Sequence, residues 1–92
     1  VVKRVSVKSG KAEAVVPPAG ETITGLFEFT ILNTSTSITV ELVESESTAF
    51  GQGFPLAPGA AWSGQVNSTQ KLYVISNSGT AASIAVIGVP AA

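Results

Sequence analysis

The chain has no histidine, no cysteine and no aspartate, and each absence removes a class of chemistry. Without an imidazole a serine has no partner to take its proton, and Lys71 is the only basic residue beyond Lys11, so nucleophilic catalysis lacks its parts. Without thiols there is neither a disulfide framework nor thiol chemistry, and stability has to come from packing or assembly. Methionine is missing too, and a chain that begins at Val1 fits removal of an initiator Met or cleavage of a longer precursor.

Charge is also scarce. Charged residues are 12% of the chain, against about 25% in an average domain. The net charge of −1 leaves no electrostatic footprint for a polyanion, so nucleic acid is not an expected partner. At 45% hydrophobic the chain is not of the disordered class. No apolar run approaches the ~18 residues of a membrane span, and no signal-peptide pattern is present. The expectation is a soluble chain with no membrane partner, part of whose apolar surface is covered by another protein.

The acidic residues available to a metal are glutamates alone. Glu41, Glu44 and Glu46 lie close in sequence, and hard cations accept such ligands. Among the neighbouring hydroxyl residues, however, solvated charge is the ordinary outcome. Gly51, Gly53 and Gly59 are followed by no Lys-Ser/Thr pair and open no helix, so they make no phosphate loop. A glycosidase pair would need a ligand cleft that a domain of this size rarely builds. No catalytic, cofactor-binding or metal-ligating residue is assigned, and no cofactor is expected.

What is present is period-2 alternation, abundant β-branched residues and frequent turn signals. Residues 1–8 read as a strand with Val5 and Val7 on one face and Arg4, Ser6 and Lys8 on the other, and residues 11–16 as a second. Pro17-Pro18-Ala19-Gly20 reads as a hinge. In residues 25–32, Phe27, Phe29 and Ile31 share a face. Polar turn residues 33–36 follow, and 37–43 runs back with Ile38, Val40 and Leu42 inward, which reads as a hairpin.

Ala57-Pro58-Gly59-Ala60 fits a type II turn. Residues 61–66 and 70–76 are further strands, Asn77-Ser78-Gly79-Thr80 a tight turn, and 81–89 the last strand. Asn33-Thr34-Ser35 and Asn67-Ser68-Thr69 match the glycosylation sequon, but turn formation explains both.

The expected fold is therefore all-β: a small antiparallel sandwich of seven or eight strands, jelly-roll or Ig-like. Residues 1–20 form an N-terminal arm or edge strands, and 21–92 the sandwich. Its core is Phe27, Phe29, Ile31, Ile38, Val40, Leu42, Leu72, Val74, Ile84 and Val86. The runs 72–75 and 84–89 are apolar on both faces. A strand with two apolar faces needs a second cover, most simply another subunit.

Seven residues are expected to meet partners. The basic Lys3, Arg4, Lys8 and Lys11 precede all six glutamates and suit an acidic surface. The aromatic Phe50, Phe54 and Trp62 are the others; an exposed aromatic pair near Phe50 and Trp62 would mark a sugar platform, and burial of both a structural role.

The stretches Phe29-Thr30-Ile31-Leu32-Asn33-Thr34-Ser35, Ile38-Thr39-Val40, Leu56-Ala57-Pro58-Gly59, Leu72-Tyr73-Val74-Ile75-Ser76 and Gly79-Thr80 carry a resemblance. They are similar to the small accessory virion proteins of tailed bacteriophages, of head-decoration, cement or head-fibre type. The resemblance covers residues 24–89 and rests on turn and strand signals. It implies a structural protein on the capsid surface, binding the major capsid protein or other virion proteins as a symmetric homo-oligomer, with a trimer favoured. The alternative is a carbohydrate-binding fibre domain that recognises host glycans.

Overall fold

The computed structural model describes residues 2–7, 10–17, 22, 24–76 and 81–91. Lys8, residues 18–20 of the 17–20 hinge and the 77–80 turn lie outside the described residues. Eight strands are present and, among these residues, no helix: β1 (Val2–Val7), β2 (Glu13–Val16), β3 (Leu26–Asn33), β4 (Val40–Val43), β5 (Phe54–Leu56), β6 (Ala61–Val66), β7 (Leu72–Ser76) and β8 (Ala82–Ala91). They form two four-stranded sheets, ordered β1-β8-β3-β6 and β2-β7-β4-β5, and every pairing is antiparallel.

The pairings β1·β8, β2·β7, β3·β6 and β4·β5 are those of a chain doubled back on itself with its tip between β4 and β5. Rolling that doubled ribbon adds β3·β8 and β4·β7. The result is a jelly roll, one of the two connectivities expected for the sandwich.

The inward faces follow the alternation of the sequence. Phe27, Phe29 and Ile31 of β3 meet Val40, Leu42, Val74, Ile84 and Val86 in one core, with Ile38 and Leu72 half-buried against it. Phe27 and Phe29 need room on β8, and Gly88 supplies it: it pairs with Phe29, and a Cβ there would run into the Phe27 ring. Val7, Val15 and Val16 are fully buried in the same core. β1 and β2 are each the outermost strand of a sheet.

The expected hairpin between residues 25–32 and 37–43 does not form, because β3 and β4 belong to different sheets. The cause lies at Asn33, the last residue of β3, which is completely buried. Its side-chain amide donates to the Ile38 carbonyl at 2.8 Å and to the Leu56 carbonyl at 2.9 Å. Its Oδ1 accepts from the Ser35 N–H at 3.1 Å and from the Ser35 hydroxyl. Its backbone N–H donates to Ala60 and its carbonyl accepts from Gly59, at 3.0 and 2.8 Å. One side chain thus holds the crossing from β3 to β4 against the crossing from β5 to β6.

The 57–60 turn has the expected form, with Gly59 at φ +79° and the Ala60 N–H bonded to the Ala57 carbonyl at 2.9 Å. Asn67, in the other sequon, is exposed and makes only a local turn, its Oδ1 accepting from the N–H and hydroxyl of Thr69 at 3.0 and 2.8 Å.

Asn33→Ala leaves the Ile38 and Leu56 carbonyls without that donor in a buried site, and should cost roughly 2–4 kcal/mol of the ~5–15 available to a domain. Asn67→Ala should cost no more than about 1 kcal/mol. Urea unfolding of both variants checks this; equal midpoints would show that Asn33 does not hold the crossings.

Candidate functional site

The two sheets present very different outer faces. On the second sheet, β7 is apolar on both sides, with Val74 in the core and Tyr73 and Ile75 turned outward. The outward side is covered by the chain itself. Ala12, Val43 and Ile75 are buried in a satellite cluster, with Phe50 and Tyr73 packed against it. Phe50 reaches that position because residues 44–53, between β4 and β5, fold back over the sheet.

The anchor of this loop is Glu41, which points outward from β4 yet is only 7% exposed. Its Oε1 accepts the Gly51 N–H at 2.7 Å and the Gly53 N–H at 3.0 Å. The expectation that the second face of β7 calls for another subunit is therefore corrected: the 44–53 loop carries its own apolar plug, Phe50. Glu44 and Glu46 are exposed, and no metal-binding group occurs among the described residues.

On the first sheet the outer face has no such cover among the described residues. Register places Val2, Ile87, Thr30 and Ser63 in one row across β1, β8, β3 and β6, and Arg4, Ala85, Leu32 and Ala61 in the next. Beyond Ile87 lie Val89, Glu28 and Gln65. Val2, Leu26, Leu32, Ile87 and Val89 are between 37% and 66% exposed and adjoin one another. An open trough of about 500 Å³ runs between Ile87 and Val89 on one side and Ser63 and Gln65 on the other. Solvated faces of antiparallel sheets normally alternate to polar residues, so a face of branched aliphatics is informative. Cross-strand bonds Thr30–Ser63 at 2.7 Å and Gln65 to Glu28 at 2.8 Å tie down its polar side.

The third feature is an aromatic edge. Trp62 on β6 and Phe54 on β5 follow the inward phase of their strands, as partners of Ile31 and Leu42, but they stand at the open side of the sandwich. Their ring centroids are 6.3 Å apart, and Trp62 also tilts against Phe29 at 5.6 Å. Phe54 is 55% and Trp62 37% exposed. Beside Trp62 an open recess of about 370 Å³ is rimmed by Glu44, Gln65, Gln70 and Lys71.

The six expected partner residues that are described do not converge, Lys8 lying outside the described residues. Lys3 and Arg4 lie on the β1 edge and Lys11 in the β1–β2 link, all exposed, while Phe54 and Trp62 lie at the opposite edge. Lys3 pairs with inward-facing Val86, so a charge points toward the core side of an edge strand, an arrangement that discourages strand addition. Phe50 is half-buried in the satellite cluster, so the exposed aromatic pair is Phe54 with Trp62. Sequence reading did not name Val2, Leu26 or Leu32; their signal was the outward phase of strands whose inward phase was already assigned.

No family model matches the chain, and no curated protein matches it.

Glu41→Ala should free the 44–53 loop, exposing Val43 and Ile75, and limited proteolysis followed by mass spectrometry should find new cleavage within 44–53. Glu41→Gln, which keeps an acceptor oxygen, should be cut far more slowly. Equal resistance in Glu41→Ala and wild type would show that the loop is held by something else.

Proposed function

We propose that the chain is a non-enzymatic, structural virion protein that binds the outer surface of a bacteriophage capsid, as a decoration, cement or head-fibre component, and stabilises or extends it. The observation that carries this reading is the uncovered aliphatic face of the first sheet, in a chain that lacks the side chains of nucleophilic catalysis. The virion setting comes from the resemblance over residues 24–89. Burying apolar surface against assembled subunits stabilises the shell by mass action, since the bound protein favours the assembled state. The major capsid protein or a neighbouring virion protein is the partner, and the basic β1 edge with Lys11 suits an acidic part of it.

One observation favours a second reading, a glycan-binding appendage. Phe54 and Trp62 offer aromatic faces beside a recess rimmed by amides and charges, which is the make-up of a small-molecule site.

Co-sedimentation with capsids stripped of accessory proteins separates the two. The decoration reading expects saturable binding at a fixed ratio, weakened severalfold in low salt by Lys3→Gln with Lys11→Gln while the melting temperature stays within about two degrees. Binding to a glycan array that is lost in Trp62→Ala, without capsid binding, would replace it with the second reading.

A further inference from the structure

We infer that the outer face of the first sheet mates with the same face of a second copy of this chain, about a two-fold axis that passes beside Ile87. This rests on reading that face as a protein-binding surface, as in the proposed function, but needs no capsid.

The charges of the face carry the argument. Arg4 and Glu28 are the only ionic side chains that register turns outward there among the described residues. Arg4 sits on β1 beside Ala85, and Glu28 on β3 beside Val89. Ile87 lies between them on β8, one strand and one same-face step from each. With strands about 4.8 Å apart and same-face residues about 6.7 Å apart, the two charges stand roughly 16 Å from one another with Ile87 at their midpoint.

When two copies stack face to face, the two-fold axis lies in the plane of the interface and reflects the projected positions of one face onto the other. An axis through Ile87, perpendicular to the line from Arg4 to Glu28, sets each Arg4 over the other copy's Glu28. Both ion pairs then form at once, and the two Ile87 side chains meet at the axis. Val2 falls between Ile87 and Val89 of the second copy, so aliphatic carbon meets aliphatic carbon. A face with one charge, or with two of the same sign, would not be self-complementary in this way.

The area is that of a small interface. The strands β1, β8, β3 and β6 have 6, 10, 8 and 6 residues, which at about 3.3 Å per residue and 4.8 Å per strand project roughly 480 Å² from each partner and ~950 Å² together, suited to a pair that associates at tens of micromolar. Alternating outward residues leave no backbone to satisfy; the polar Ser63 and Gln65 lie on the outermost strand β6 as a rim, and the Thr30 hydroxyl beside Ile87 is already bonded to Ser63. A pair formed this way differs from the trimer that the virion resemblance implies.

Sedimentation equilibrium of the isolated chain at tens of micromolar tests the inference. The wild type should be a dimer. Arg4→Glu and Glu28→Arg should each raise the dimer dissociation constant more than about tenfold, because each sets two like-charged pairs across the axis. The combined Arg4→Glu/Glu28→Arg variant should restore the dimer, and Ile87→Lys should abolish it. All three substituted positions are exposed, and circular dichroism checks that each of the four variants stays folded. A wild-type monomer, a trimer, or a dimer indifferent to the single charge reversals would overturn the inference. Failure to restore pairing in the double variant would do the same. If the dimer forms as stated but capsids are not bound, only the proposed function falls; if capsids are bound by a monomer, only the dimer does.

Discussion

A jelly roll has to bring its chain from one sheet to the other several times, and each crossing carries backbone carbonyls and N–H groups past the end of the core. At two of these crossings a single buried amide supplies the partners. Asn33 holds the carbonyls that lead into β4 and out of β5, while its own backbone is paired with residues 59 and 60. Fixing both crossings at one point sets β4 and β5 over the core as the tip of the folded ribbon. It also brings β5 alongside β6, which is why Phe54 and Trp62 meet. An apolar residue at position 33 would match the burial but leave the Leu56 carbonyl without its side-chain donor and the Ile38 carbonyl with the Ser35 hydroxyl alone.

The same framework creates two outer faces with opposite solutions to one problem. Both β7 and β8 carry aliphatic side chains outward. Over β7 the chain supplies Phe50, held in place by the two backbone bonds to Glu41. Over β8 the corresponding positions, Ile87 and Val89, have only their coplanar neighbours Val2, Leu26 and Leu32. The chain covers one such face intramolecularly and, among the described residues, leaves the other open. The aromatic edge is a different kind of surface: its rings continue the core, so part of its exposure follows from closing a sandwich with aromatic residues at an open side.

Much of this was legible in the sequence where the information is local. Alternation in 27–31 gave the inward phase of β3, while 84–89 read as apolar on both faces with Ile84 and Val86 assigned inward, and the ten residues named for the core all lie in or against it. Pro58-Gly59 announced its turn. Information about partners across the fold was not local. A hairpin and a sheet-to-sheet crossing share the same polar turn residues, so residues 33–37 read as the former, and only the carbonyls of Ile38 and Leu56 decide otherwise. Phe50 and Phe54 are four residues apart in one Gly-rich stretch. Which of them is packed depends on Glu41, ten residues from Gly51 along the chain. The charge pattern was visible as a basic N-terminus, but the opposition of Arg4 and Glu28 about Ile87 exists only once β1 and β3 flank β8.

One outer face is closed by the chain itself, and the other is the one we propose a protein partner covers. Methyl resonances followed by NMR over a dilution series test this directly. Concentration-dependent shifts are expected at Val2, Leu26, Leu32, Ile87 and Val89, with Val43 and Ile75 unmoved beneath their loop. Shifts that instead centre on Val43 and Ile75, or no shift anywhere from micromolar to millimolar concentration, would contradict it.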